Sequence, residues 1–495
     1  MVGESDASDD PRWGGPVGRA GWWLWPALLA LVVGAAGVGH AQPWRDELAT
    51  WSAAGRPLPD LARLVGAVDA SAGPYYLLAH GWTAVFGDSV TALRAPSVLA
   101  MAGAAGLTAV LGGRLFGRRA GLLGGLLFAA LPGTSRYGQE ARPYALVTLF
   151  AVAATLALVS ALRRPDRAHW AAYAITVTAL GLAHLVAVTL LAAHALMVLG
   201  GPDRGRWRRW LLALTLPAVA LTPLALLARG QRARQLSWVD PARLGELPGL
   251  PGSLAGSAAV GGLLVGLALV GAARPARRRW GLLMLAAAGL PAALLFAAGV
   301  VTAVWVPRYL VFTTPFLCLP AGALLTSVRL PAALAVLGVT ALLGLPAQLD
   351  LRRTHDWPRS APVDYRGAAR IVAAGQRPGD AIVYSPRDGF LFLDIGLAYH
   401  LGPDRPRDVL VTRDQRQAGD LWAVECDRPA RCLTGVNRVW LVVADQPTGP
   451  LTDPVADPVA ALPAAKEAAL RDGFSPTGRW TVPGVSVTLL VRAAD

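Results

Sequence analysis

Pro74-Tyr75-Tyr76-Leu77-Leu78-Ala79-His80-Gly81-Trp82 decides the topology of this chain. The stretch is apolar enough to count as a membrane span, and if it crosses, every later loop changes side. Apolar runs recur around it through the first 350 positions, each close to the ~20 residues that cross a bilayer. They fall at about 22–39, 95–112, 119–133, 143–162, 169–184, 186–201, 210–228, 256–273, 280–301, 309–327 and 331–348. With the N-terminus inside and 74–87 lying on the membrane surface, the arginines sort cleanly. Arg114/Arg118/Arg119, Arg163/Arg164/Arg167, Arg204/Arg206/Arg208/Arg209, Arg274/Arg277/Arg278/Arg279 and Arg329 then all face the cytoplasm, where basic loops belong. If 74–87 crossed, all of these loops would invert. The short aromatic stretch therefore reads as an amphipathic interfacial helix. The chain reads as a polytopic α-helical membrane protein of about eleven transmembrane helices, with external juxtamembrane helices.

Composition agrees. Of 495 residues, 54% are hydrophobic and 16% charged, whereas a soluble protein carries about 25% charged residues. The net charge is +14, and Lys466 is the only lysine. A basic balance can signal nucleic acid, but these arginines sit in short loops between apolar runs, which makes them orientation signals. No nucleic-acid partner is expected.

Residues 1–20 are acidic and rich in glycine and proline, and read as a disordered cytoplasmic leader without a signal-peptide cleavage site. Residues 21–350 form the membrane domain. From 360 to 495 the pattern changes to that of a small extracytoplasmic α/β domain. It has a helix over Asp364–Ala374, strands at 381–384, 408–411, 439–443 and 485–491, and a further helix over Ala460–Arg471. Cys426 and Cys432, six residues apart in this tail, are candidates for a disulfide; Cys318 sits in an apolar run.

The same topology puts the chemically interesting residues outside. Trp44-Arg45-Asp46-Glu47-Leu48 follows the first span. Adjacent carboxylates there can take a proton from a hydroxyl, hold a metal, or cap the next helix. Arg136-Tyr137-Gly138-Gln139-Glu140-Ala141-Arg142-Pro143-Tyr144 packs two arginines, an acid and two tyrosines into one external loop. That suits an anionic sugar-bearing ligand, or else a local Glu140–Arg142 contact with interfacial anchors. Arg308, beside Tyr309, marks a site or snorkels to headgroups. His184 lies in a tight external turn, where packing is the commoner role for a lone histidine. Together, the acids would activate a hydroxyl and the arginines would bear the charge of a departing phosphate.

Read in order, these pieces resemble the GT-C membrane glycosyltransferases, specifically the protein O-mannosyltransferase and lipid A aminoarabinose transferase group (family 39-like). The resemblance covers about residues 20–350. It rests on Asp46-Glu47, on Pro74-Tyr75-Tyr76-Leu77-Leu78 with Phe86-Gly87 and Leu93-Arg94-Ala95-Pro96-Ser97, and on Arg114-Leu115-Phe116-Gly117-Arg118-Arg119. It continues through Tyr137–Leu146 and Arg308-Tyr309-Leu310.

The resemblance implies an inverting glycosyltransferase on the outer face of the cell membrane. It would move a sugar from a polyprenyl-phosphate donor to an extracytoplasmic lipid, glycan or protein acceptor. Asp46 would be the base, Glu47 would orient the acceptor or assist a metal, and Glu140 would be the second-loop acid. Arg136, Tyr137, Gln139, Arg142, Tyr144, Arg308, Tyr309 and Tyr75 would bind substrate. A divalent metal ion, held by Glu47 and His184, is the candidate cofactor. The chain departs from its relatives at Ala72-Gly73-Pro74, where they often carry His-Pro-Pro. The rival functions are a transporter or flippase of lipid-linked precursors, a class marked by internal repeats and broken helices, and a non-catalytic membrane scaffold.

Overall fold

The computed structural model describes residues 21–200, 205–353, 363–445 and 456–493. The leader over 1–20 and Arg204 lie outside the described residues. Each of the eleven expected spans contains a helix. Among the described residues, six helices are long and apolar enough to cross a membrane: Val90–Phe116, Tyr144–Arg163, Arg206–Gln235, Arg278–Thr302, Pro307–Leu325 and Leu330–Asp350. Ala258–Ala273 makes a seventh span if joined to Leu244–Ala255, from which it bends by 96°. Leu24–Ala35, Arg118–Ala130, Arg167–Ala183 and Leu185–Leu199 are shorter. Their ends have local causes. Arg118–Ala130 stops before Pro132, which has no amide hydrogen to continue the ladder and instead opens the short helix Pro132–Gly138.

The decisive stretch is a 14-residue helix, Gly73–Phe86. At ~1.5 Å per residue it is about 21 Å long, short of the ~30 Å hydrocarbon core. Tyr75 and Tyr76 are buried. They belong to a core shared with helix Arg45–Ala54, helix Leu58–Ala67 and the C-terminal domain.

The arginine loops meet one another, as the topology requires. Arg119 donates to the Val328 carbonyl (3.0 Å), Arg163 to that of Arg114 (2.6 Å) and Arg279 to that of Gly200 (2.9 Å). Each guanidinium thus satisfies a carbonyl at or beside the C-terminal end of a helix. Between the two ends of the bundle, small residues let helices touch. A Cβ on Gly121 would lie 2.3 Å from the Ala109 carbonyl oxygen, so Val90–Phe116 and Arg118–Ala130 pack backbone to backbone. Gly117 turns the chain between them at φ +98°.

The C-terminal domain holds a five-stranded mixed sheet of order β2-β1-β5-β7-β6. Its strands are β1 (Ala381–Ser385), β2 (Arg407–Asp408), β5 (Arg438–Ala444), β6 (Phe474–Val482) and β7 (Val485–Arg492). β1 runs parallel to β2 and β5, while β7 is antiparallel to β5 and β6. Side chains alternate along a strand. Ile382, Tyr384, Trp440 and Val442 therefore pack with helices Tyr365–Gly375 and Leu393–Leu401, and Ala381, Val383, Leu441 and Val443 pack with Leu470 of helix Ala464–Gly473.

Two expectations for this tail need correcting, and one strand carried no signal. The strand expected over 408–411 is divided between β2 and β3 (Val411–Arg413), and β3 pairs with β4 (Val424–Glu425) in a second, two-stranded sheet. The helix expected from Ala460 begins at Ala464, after Pro463. Edge strand β6 carries Pro476 and Gly478 and is mostly exposed, so it shows no apolar alternation. Cys426 and Cys432 are joined as a disulfide, and Cys318 is free and buried.

Candidate active site

The acidic step opens helix Arg45–Ala54, and its two carboxylates go opposite ways. Glu47 turns inward. Its side chain accepts from the Trp44 amide (3.3 Å), closing the helix N-terminus as a capping box does. It also accepts from Arg94 Nε and Nη2, both at 2.7 Å, and from the Ala141 amide at 2.8 Å. Glu47 and Arg94 are each 1% exposed. Arg94 donates further to the carbonyls of Val38 (2.7 Å), Ala41 (3.0 Å) and Gln42 (3.2 Å). This forked pair fastens the loop after the first apolar helix to the helix Val90–Phe116 and to the loop at 140–142. Ser97 donates to the Glu140 carbonyl (2.7 Å) and Thr50 to that of Ala141 (3.0 Å), which completes the joint.

Asp46 turns the other way and stays partly open, with its side chain 18% exposed. Its Oδ2 lies 3.6 Å from Arg308 Nη2 and its Oδ1 lies 3.8 Å from Arg45 Nε. Arg308, 12% exposed, is fixed by donating to the Tyr144 hydroxyl (3.0 Å). The Trp238 ring lies 5.1 Å from its guanidinium carbon and the Tyr309 ring 5.8 Å, which is cation–π range. Tyr309 is stacked with Tyr144 (6.3 Å) and lies 4.5 Å from His184. Residues from four segments distant in sequence therefore form one group: Asp46, Tyr144, His184, and Arg308 with Tyr309.

Arg142 is placed by a second chain of contacts. It donates to the Tyr76 hydroxyl (3.4 Å), and Tyr76 donates to Asp69. Asp69 sits at φ +59° and also accepts from Gln235. Burial works against the charge of Arg142, but Tyr76, Asp46, Tyr144 and Asp69 more than offset it and hold the guanidinium above its usual range. Tyr75 is buried beside Ser97 within electrostatic reach of Arg142, and its phenol is pushed up by that burial.

The remaining expected residues lie along 136–140. Gln139 turns its amide to the Gly34 and Ala36 carbonyls (both 2.8 Å), locking the end of the first span. Tyr137 is fully buried behind Tyr144 at 5.6 Å, and Arg136 lies 5.6 Å from the Tyr137 ring. Glu140 is fully buried.

The two residues expected to hold a divalent ion have protein partners in this structure. Both Glu47 oxygens are engaged by Arg94, His184 Nδ1 accepts from the Val186 amide (3.3 Å), and no cluster of three His, Cys, Asp or Glu side chains with metal-binding geometry occurs among the described residues. Glu47 is held by Arg94 and by the Trp44 and Ala141 amides.

Sequence reading assigned no role to Arg94, Tyr76, Asp69, Gln235 or Trp238. Tyr76 and Arg94 entered only as members of the motifs that carry the resemblance.

Residues 73–227 match the dolichyl-phosphate-mannose-protein mannosyltransferase family. No protein of curated function matches by sequence. ArnT from Cupriavidus metallidurans in the apo state superposes with a TM-score of 0.61 at 16% identity, over 95% of this chain and 98% of that one. The same protein bound to undecaprenyl phosphate gives 0.62 at 15% identity, over 96% and 98%. The chain has the GT-C fold. A further GT-C structure, the Archaeoglobus fulgidus oligosaccharyltransferase in complex with Zn and sulfate, gives 0.51 at 13% identity, over 86% of this chain and 68% of that one. The GT-C likeness to ArnT runs nearly end to end and so includes the C-terminal domain.

Proposed function

We propose that this GT-C protein is an inverting glycosyltransferase that moves a sugar from a polyprenyl-phosphate donor to an acceptor on the outer face of the cell membrane. One observation carries the reading. Asp46, a partly open carboxylate, lies 3.6 Å from Arg308, a guanidinium already anchored by Tyr144 and backed by Trp238. A proton acceptor thus stands next to a cation suited to phosphate oxygens, at the boundary where a lipid-linked donor would present its head. The match to ArnT, whose structure was determined with undecaprenyl phosphate, supports the same donor class.

In the proposed reaction Asp46 takes the proton of an acceptor hydroxyl as its oxygen attacks the anomeric carbon. The bond from that carbon to the phosphate oxygen breaks on the opposite face, so the configuration inverts. The electron pair leaves with polyprenyl phosphate, and Arg308 and Arg142 hold the charge that grows on its oxygens. Glu47 acts through position, by holding the loop that carries Asp46.

The experiment is incubation of purified protein in lipid with a panel of hexosyl and pentosyl polyprenyl phosphates, reading free polyprenyl phosphate by mass. Asp46→Asn keeps the shape and removes the base. Its turnover should fall by about 10²–10⁴-fold, while insertion and melting stay as in the unmodified chain. Undiminished turnover in that variant refutes the mechanism.

A further inference from the structure

The loop that presents Asp46 is gripped from two sides. Arg94 holds its backbone from the membrane domain, as described above. The second grip comes from a part of the chain more than three hundred residues away. Gln42 is 4% exposed and spends its whole side-chain amide on the entry to the C-terminal domain. Its Nε2 donates to the Val363 carbonyl (3.3 Å) and to Asp364 Oδ1 (3.2 Å), and its Oε1 accepts from the Arg366 amide (2.9 Å).

Asp364 is itself the N-cap of helix Tyr365–Gly375, accepting from the Gly367 amide at 2.8 Å. The next residue, Tyr365, is buried with its hydroxyl on the Leu391 carbonyl, and Arg45 and Asp46 lie within its electrostatic reach. The first turn of the C-terminal domain therefore lies against the acidic step. A glutamine whose donor and acceptor are both engaged holds one orientation, and so fixes the backbone four residues before the carboxylate.

We propose that the C-terminal domain is a working part of the Asp46 site, and that Gln42 is the positioning residue through which Asp364 holds the Asp46 loop in register. This rests on the reading of Asp46 as the base. A domain that only recruits acceptor would alter KM. A domain that sets the angle of the base alters kcat, because misplacement by about 1 Å can cost about 10²-fold.

The test separates the clamp from the helix cap. Asp364→Ser keeps a capping oxygen but is too short to reach Gln42. Asp364→Asn keeps both the cap and an acceptor for Gln42. Gln42→Leu removes all three bonds at similar volume. The clamp predicts that kcat falls about 10- to 100-fold in Gln42→Leu and several-fold in Asp364→Ser, with KM unchanged, and that Asp364→Asn stays near the unmodified rate. It also predicts faster amide hydrogen exchange over residues 44–48 in the first two variants. Exchange and kcat both unchanged in Gln42→Leu would overturn the proposal. If the unmodified protein turns over no donor, the transferase reading has failed. The exchange data still judge the clamp in that case: unchanged protection over 44–48 overturns it, and lost protection upholds it.

Discussion

Adjacent carboxylates take different fates here because of what surrounds each. Glu47 is sealed with Arg94 inside a joint of three segments, where an unpaired charge would be severely penalised. Glu47→Gln should therefore destabilise the protein by about 3–5 kcal/mol, since it strands a buried guanidinium. Adding Arg94→Met should recover part of that loss. Thermal unfolding of both variants in detergent measures it, and an additive double variant would contradict the pairing. His400 offers a pH-dependent case. Burial lowers it to about 4, with Arg366 and Arg370 adding to the shift and Asp364 opposing it. Its folded value lies below the ordinary ~6.5, so the unfolded chain binds the extra proton between about pH 6.5 and 4. Its contribution to stability is complete above that window and drains away as pH falls through it. The unfolding midpoint of His400→Gln should accordingly depend less on pH across this range than that of the unmodified protein.

Among elements, the glycine contacts set the bundle. Gly121 meets the Ala109 carbonyl with no room for a side chain. Gly121→Val should push Arg118–Ala130 away from Val90–Phe116 and destabilise the membrane domain by about 1–3 kcal/mol, the usual cost of overpacking. A lower unfolding temperature with an unchanged KM for donor would register this, because the Asp46 group lies on other segments. The surface helix Gly73–Phe86 shows how an element can be legible for one reason and placed for another. Arginine bias in the loops said that it does not cross. Its length agrees, but what holds it is Tyr75 and Tyr76 buried among residues from both domains.

At the scale of the whole molecule, the C-terminal domain shares a core with the helices that follow the first apolar segment. Leu48, Leu61, Leu64, Tyr75 and Tyr76 share one apolar core with Tyr365, Ile382, Tyr384 and Trp440. Arg56, 1% exposed, donates to the Asp420 carbonyl (2.6 Å), and Arg234 pairs with the Asp420 carboxylate (2.6 Å) while lying 5.1 Å from the Trp422 ring. A chain ending at Arg353 should expose that core and leave Arg56 without these acceptors. Limited proteolysis should then cut within 45–86, where the full chain is protected, and donor turnover should be lost. Retained protection would mean that the external helices stand alone.

The sequence by itself determined the number of apolar segments, the sorting of arginine-rich loops to one end, and the presence of a separate α/β tail. Those properties follow from local composition and from the cost of exposing polar backbone to lipid. It also marked Asp46, Arg142 and Arg308, because charge beside a membrane helix stands out against an apolar background. Only the tertiary structure decided which acid stays partly open, since Asp46 and Glu47 are neighbours of the same chemistry and differ in their partners alone. It also decided that Gln139 turns to the first span, that Trp238 backs Arg308, and that Gln42 reaches Asp364. Those contacts join residues tens to hundreds of positions apart, and no local pattern encodes which distant group a polar side chain will find once the helices have packed.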